Sequence, residues 1–286
     1  MKVLSLFDGM SCGQVALERA GIKVNNYYAS ELDKYAITVT QANYPSTIQL
    51  GDVNGWRDWD IDWSSVDLLM GGSPCQGFSF AGKQLAFNDP RSVLFFTYVD
   101  ILNHIRSLNP EVRFLMENVK MKKEYLAVIT EQVGVEPVFI NSALVSAQNR
   151  QRYYWTNLGK IAQPEDKGIL LKDVIEYPDE YISNPAAIVG RKLDKDGKRN
   201  DSLDIDTVQC LEVQEHGKSR CLSTVKKDTV VSGLQKGRYP LSKKYRNLTL
   251  IECERLQTLP DGYTDQGISN TQRYKAIGNG WTVDVI

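Results

Sequence analysis

The 286-residue chain is 42% apolar with a formal net charge of −1, which fits one large globular domain with room for a smaller appendage and excludes a disordered or fibrous chain. No run approaches the roughly 18 apolar residues of a membrane span, and residues 1–7 pass straight into Asp8-Gly9 without a cleavage site, so a cytoplasmic protein with no membrane partner is expected. Five cysteines (Cys12, Cys75, Cys210, Cys221, Cys253) without a CxxC pair, and two histidines (His104, His216), signal neither a disulfide framework nor a metal site.

Residues 2–7 read as a strand, Asp8-Gly9-Met10-Ser11-Cys12-Gly13 as a loop and residues 14–20 as a helix. In such an opening glycine lets the backbone approach a ligand, and the helix start presents unpaired N–H groups. Many α/β proteins share it, nicotinamide-dependent oxidoreductases among them. Residues 27–31 form a second strand ending in Glu31, a carboxylate spaced to take two ribose hydroxyls. After a helix over 34–42, residues 49–53 give a third short strand ending in Asp52. Each acid alone could equally cap a helix. Together the three strand ends describe a nucleoside-sized site.

The apolar run 66–70 predicts a buried strand, ended by Gly71-Gly72 where the backbone must turn. Pro74 then fixes φ just before Cys75 and Gln76 offers an amide beside it, which sets the thiol at the carboxyl edge of a sheet, where open α/β folds bind ligands. A lone cysteine is ordinarily a buried structural residue. Residues 78–90, rich in small and amide side chains, read as a mobile loop before an amphipathic helix over 91–108. Residues 112–119 form a strand that sets Glu117 level with Cys75 if the two strands are neighbours. Residues 138–143 and 148–155 add two more, and alternation sends Arg150 and Arg152 of the latter to one face, toward one acidic site.

From 159 to 245 turns and short segments take over, a composition shift that predicts a second domain, β-rich and irregular. Between Gly217 and Arg246, Lys218, Arg220, Lys226, Lys227, Lys236, Arg238, Lys243, Lys244 and Arg246 stand against Asp228 alone, a candidate phosphate-contacting face that the overall charge conceals. Residues 246–261 restore order, with Thr249 as N-cap, Glu252 as its capping-box partner and Pro260 as the stop; Cys253 inside this helix reads as structural.

Six stretches, in order, resemble the DNA (cytosine-5)-methyltransferases. They are Phe7-Asp8-Gly9 with the acids that follow it, Gly71-Gly72-Ser73-Pro74-Cys75-Gln76-Gly77-Phe78-Ser79, Glu117-Asn118-Val119, Gln148-Asn149-Arg150-Gln151-Arg152, the helix from Arg246 to Asp261, and Arg273-Tyr274-Lys275-Ala276-Ile277-Gly278-Asn279-Gly280-Trp281-Thr282-Val283. Met10-Ser11-Cys12 and Trp281 are variants like those of the animal de novo branch. The resemblance implies a doubly wound, Rossmann-like α/β domain dependent on S-adenosylmethionine, built from residues 1–158 and 246–286, with 159–245 inserted as a small, irregular, β-rich target-recognition domain. It further implies that Phe7 packs on adenine, Glu31 binds the ribose, Asp52 meets the adenine amino group, and Gly9, Asn279 and Trp281 complete the pocket, which releases S-adenosylhomocysteine. Cys75 would add to carbon 6 of a flipped cytosine and make carbon 5 nucleophilic. Pro74, Gln76 and Ser79 would lie against the base. Protonated Glu117, with Arg150 and Arg152, would activate ring nitrogen 3. The implied partner is double-stranded DNA, the implied state a monomer, and the implied setting restriction-modification in a bacterial or virus-infected cell.

Three other readings stay open on sequence. A tRNA cytosine could be the substrate. The chain could be an inactive regulatory relative, although it keeps Cys75 and Glu117. A nicotinamide oxidoreductase would have no use for Ser-Pro-Cys-Gln or Glu-Asn-Val. The end at Ile286 falls where relatives begin a helix, which reads as truncation.

Overall fold

The structure, a computed structural model, describes residues 1–74, 93–176, 184–196, 198–202, 204–214, 217–224 and 229–286. Its main sheet has seven strands. β1 (Lys2–Leu6), β2 (Asn26–Ser30), β3 (Ile48–Gln49), β4 (Leu68–Gly71), β5 (Arg113–Val119) and β6 (Val138–Asn141) run in one direction and β8 (Gln151–Thr156) runs antiparallel between β5 and β6, in the order β3-β2-β1-β4-β5-β8-β6. The chain winds outward from β1 to β3, returns to place β4 beside β1, and winds outward again. The gap between β1 and β4 is the topological switch point of a doubly wound sheet, where such folds bind ligands.

Alternation along the central strands explains why they read as continuous apolar runs: both faces are covered. Leu4, Leu6, Leu69, Phe114 and Met116 point to the face covered by α3 (Val93–Leu108), which packs Phe95, Tyr98, Leu102 and Ile105 against them. Val3, Leu68, Met70 and Leu115 point to the other face and meet Leu17 of α1 (Cys12–Arg19). Each fully buried side chain of this size stabilises the fold by about 1.5–3 kcal/mol. The packing is close where β4 ends: a Cβ at Gly71 would come within 2.9 Å of the Tyr98 ring and 3.0 Å of the Leu6 carbonyl, so glycine is required.

Two expected strands differ in detail. β3 stops at Gln49, and Gly51 (φ 76°) turns the chain so that Asp52 caps a short 3-10 helix, Val53–Asp58. The strand expected over 148–155 is broken at Arg150 into β7 (Gln148–Asn149) and β8. The expected loop over 78–90 lies outside the described residues.

A second sheet of five antiparallel strands, ordered β13-β10-β9-β12-β14, joins β9 (Asn184–Arg191), β10 (Val208–Val213), β12 (Val230–Ser232), β13 (Gly237–Pro240) and β14 (Arg246–Asn247). Ala186, Leu211, Val213 and Val230 form its core. β11 (Ser219–Arg220) leaves this sheet and pairs in parallel with β7. Beyond it, α5 (Leu250–Leu256) begins with the expected capping box, Thr249 and Glu252 each accepting from the other's backbone N–H.

The last segment returns to the first. After α6 (Asn270–Asn279), Ser142 Oγ donates to Thr282 Oγ1 at 2.9 Å, and Gly280 packs so tightly on Met10 and Cys12 that a Cβ there would lie 2.6 Å from the Met10 methyl. Gly278 permits a still closer approach, since its Cβ would overlap the Ser223 carbonyl.

Candidate active site

Sheet register assembles the site. Leu6 of β1 pairs with Ser30 of β2 and with Gly71 of β4, and Gly71 pairs with Met116 of β5. One residue further along each strand stand Phe7, Glu31, Gly72 and Glu117, so four residues from three separate motifs occupy one row at the carboxyl edge. β4 and β5 are neighbours, the condition set from sequence, and their register puts Glu117 level with Gly72. Cys75, Gln76 and Ser79 lie outside the described residues; Pro74, part-buried, is the last described residue before them.

On the β1 side the loop is set by backbone conformation. Phe7, Gly9 and Ser11 all have φ near +60°, and nothing lies within 4 Å of where a Gly9 Cβ would be, which leaves room for a ligand beside the loop. Glu31 Oε2 accepts from Gly9 N at 2.8 Å, while Oε1 accepts from Leu32 N and Asp33 N at 2.7 and 2.8 Å. A carboxylate offers about four lone-pair sites, so Glu31 shapes the loop and retains an acceptor site. Asp52 uses Oδ1 for Asn54 N and Nδ2, at 2.9 and 3.0 Å. It is therefore a cap, as the plainer alternative had it, with Oδ2 still available for a ligand. Asp8 accepts from Tyr27 OH at 2.7 Å and from Ser11 Oγ, and burial pushes its carboxyl up to about 6.

On the β5 side Glu117 is buried, and Arg152 Nε lies 2.7 Å from its Oε1. Oε2 stands 3.0 Å from the position a Gly72 Cβ would take, and Trp281 Nε1 stands 3.1 Å from the same position. The missing side chain at Gly72 thus leaves room for both the acid and the indole at the end of β4. Asn118 donates from Nδ2 to Ser73 Oγ at 3.2 Å and anchors the chain two residues before Cys75. Asn279 is exposed at the end of α6.

The two arginines separate, contrary to the expectation from strand alternation. Arg152 meets Glu117. Arg150, at the break between β7 and β8, is buried and donates to the carbonyls of Leu222, Gly278 and Gly280 at 3.3, 3.3 and 2.8 Å, knitting the chain at Leu222 to the last segment. Because the strand breaks between them, the alternation argument does not apply. Both still touch one atom: Cys221 Sγ lies 3.3 Å from Arg150 Nη1 and 3.8 Å from Arg152 Nη2. Burial alone would raise that thiol, but the Arg150 and Arg152 charges outweigh it and hold it below the ordinary value. Burial instead pushes Cys12 up to about 12. Nothing in the sequence around Cys221 signals this, because its partners are 71 and 69 positions away.

A profile of the family described as C-5 cytosine-specific DNA methylase matches residues 1–286. The chain belongs to that family. The type II methyltransferase M.NlaX of Neisseria lactamica is 28% identical to it over 313 residues, 100% of this chain and 93% of the relative. M.HhaI of Haemophilus parahaemolyticus is 27% identical over 313 residues, 100% and 92% of the two chains. Among solved structures, Entamoeba histolytica methyltransferase EhMeth superposes with a TM-score of 0.65 at 17% identity, covering 100% of this chain and 95% of that one. S. pombe Dnmt2 methyltransferase gives 0.59 at 17% identity, covering 100% and 95%. These likenesses establish a shared α/β methyltransferase fold. The chain is a DNA (cytosine-5)-methyltransferase, its relatives include restriction-modification enzymes, and members of the family use S-adenosylmethionine. No described helix is long and apolar enough to cross a membrane.

The methyltransferase has a cofactor-side geometry that fits the group its family uses. There is open space at Gly9, an acceptor site left on Glu31, an acceptor oxygen left on Asp52, and the Trp281 ring beside Gly72 at the end of the adjacent β4. These are the partners that a ribose diol, an amino group and a flat base require.

Proposed function

We propose that this methyltransferase methylates carbon 5 of a cytosine in duplex DNA through a covalent adduct at Cys75, with Phe7, Gly9, Glu31, Asp52, Asn279 and Trp281 holding S-adenosylmethionine. The observation that supports this reading most is the shared row of Phe7, Glu31, Gly72 and Glu117, with Arg152 2.7 Å from Glu117. It sets a cofactor side and a base-activating side two strands apart, roughly 10 Å by strand spacing.

Cytosine carbon 5 is a weak nucleophile. Addition of the Cys75 thiolate to carbon 6 breaks the 5,6 double bond and moves the electron pair toward ring nitrogen 3, leaving carbon 5 enamine-like. Glu117, protonated when the base binds, donates to nitrogen 3 through Oε2, while Arg152 holds Oε1 and sets the carboxyl plane. A donor aimed where charge develops stabilises the transition state more than the ground state. S-adenosylmethionine supplies the electrophilic methyl group when bound. Loss of the carbon 5 proton and expulsion of the Cys75 thiolate then restore the aromatic ring. Pro74, Gln76 and Ser79 contact the base in this reading, and Arg150 acts by holding the inserted domain against the last segment. Residues 159–245 form the target-recognition domain, and the enzyme acts as a monomer.

The test is incubation with tritiated-methyl cofactor and either duplex DNA or tRNA, followed by mapping of the modified base. Methyl label on cytosine carbon 5 of DNA supports the reading, and label confined to tRNA overturns it.

A further inference from the structure

The basic stretch expected to form a uniform phosphate face is not uniform. Lys218 donates to the Ala143 and Ser146 carbonyls, and Arg246 makes a two-pronged pair with buried Glu252 at 2.8 Å for each contact, so both serve the fold. Lys226 and Lys227 lie outside the described residues. Arg220 and Arg238 converge with Arg191 on one acid, Glu212 of β10.

Within that cluster the three guanidiniums are not equivalent. Arg191 grips both carboxylate oxygens, Nε on Oε1 at 2.9 Å and Nη2 on Oε2 at 2.8 Å, and gives Nη1 to the Gly190 carbonyl at 3.2 Å. Each of its three nitrogens already has an acceptor, and its charge matches that of Glu212. Arg238 reaches Oε1 at 3.2 Å. Arg220 gives only Nη2, to Oε2 at 2.9 Å; its Nε and Nη1 have no hydrogen-bond partner among the described residues. Arg191 already balances the single charge of Glu212, so the guanidinium of Arg220 is in surplus over that carboxylate on a part-exposed surface, with Arg220 side-chain exposure at 34%. Hydrogen bonding from Arg191 above all holds the Glu212 carboxyl down at about 2, so it stays charged. A guanidinium in surplus, with Nε and Nη1 open, calls for a further anion or paired acceptor.

The place matters as much as the charge. Arg220 lies on β11, which pairs with β7 in the register Ser219 to Gln148 and Arg220 to Asn149. The next residue is Cys221, in contact with Arg152, which in turn holds Glu117. The open edge of Arg220 is therefore one residue from the chain segment that touches the base-activating pair.

We propose that Arg220, aimed by Glu212 and backed by Arg238, is the residue with which the inserted domain grips DNA next to the reacting cytosine, its fork taking the paired acceptors of a phosphate or of a guanine edge. This rests on the DNA reading above. Arg191 is the positioning residue that neutralises Glu212 and leaves the charge of Arg220 uncompensated.

The experiment uses the full chain as wild type, Arg220→Ala, Arg220→Lys and Glu212→Gln. It reads binding to a 30-base-pair mixed-sequence duplex across a salt series, and sequence context by bisulfite sequencing of methylated plasmid. Thermal melting and S-adenosylmethionine affinity check each fold. Arg220→Ala is expected to weaken duplex binding roughly 5- to 150-fold, the range for one good fork contact. If the acceptor is a phosphate, the slope of log affinity against log salt falls by about 0.9 and context is unchanged. If it is a guanine edge, the slope holds and one context position relaxes. Arg220→Lys keeps the charge and loses the fork, so it should retain the slope yet still lose affinity or context. Glu212→Gln removes a negative charge, so a purely electrostatic surface would bind DNA more tightly; loss of aim predicts weaker binding or relaxed context. Folded Arg220→Ala and Arg220→Lys proteins with wild-type affinity, slope and context would overturn the proposal, as would tighter binding with unchanged context in Glu212→Gln. Failure of the wild type to methylate plasmid DNA would instead count against the DNA reading itself.

Discussion

At the carboxyl edge of the main sheet, Phe7, Glu31, Gly72 and Glu117 are neighbours because four paired strands share one register. Around Glu212, Arg191, Arg220 and Arg238 are neighbours because side chains from three further strands reach one carboxylate on the smaller sheet. The first arrangement is fixed by backbone hydrogen bonds and tolerates change in the side chains that flank it. The second exists only while its charges are present. Chemistry placed by register should therefore fail locally when one side chain is altered, whereas recognition built from side chains should fail as a group.

The largest expected effect is on the register side. Glu117→Gln should keep cofactor and DNA binding yet lose about 10²–10⁴-fold in single-turnover rate, the span of acid–base catalysis. Arg152→Ala should impair the same step, and the double variant should lose far less than the product of the two, because the groups act as a unit. A double-variant loss equal to that product would separate the residues.

At the junction between the regions, Arg246→Ala strands the buried Glu252 carboxylate. Urea unfolding should show a loss of up to about 3 kcal/mol, the lower end for breaking a buried pair because Arg246 is part-exposed. An unchanged midpoint would mean that Glu252 is held well enough by Thr249 N and Glu176 N. Glu31→Gln should weaken S-adenosylmethionine binding by about 1.5–3 kcal/mol in calorimetry, the range for hydrogen bonds to a charged group. Unchanged affinity would reduce Glu31 to a loop brace.

The smallest effect concerns pH. The Asp8 carboxyl stands at about 6 in the fold, above its ordinary value of about 4, so folding favours its protonated form. Its contribution to stability is fully present below about pH 4 and is lost as pH rises through about 6. Asp8→Asn should flatten that window in thermal melts, and an unchanged pH profile would remove Asp8 from the account.

Sequence reached one region and not the other for the same physical reason. Strand ends, glycine turns and the capping box of α5 are local patterns, so Glu31, Asp52, Glu117 and Thr249 could be picked out and their elements placed within a few residues. Pairing of β4 with β5 then completed what the Glu-Asn-Val stretch suggested. The break at Arg150 was invisible, because it follows from carbonyls of Leu222, Gly278 and Gly280 that come from distant segments. Glu212 and Cys221 were missed likewise. Charge counting found the arginines but could not tell that Arg246 and Lys218 are held within the fold while Arg220 keeps an open edge.

The covalent step through Cys75 is the central claim, and trapping tests it most directly. A duplex with 5-fluorocytosine at the mapped target has no carbon 5 hydrogen to eliminate after methyl transfer, so the protein–DNA adduct should accumulate and peptide mapping should find it on Cys75. An adduct on Cys221, whose thiol the two arginines lower, or an adduct that persists in Cys75→Ala, would contradict the account.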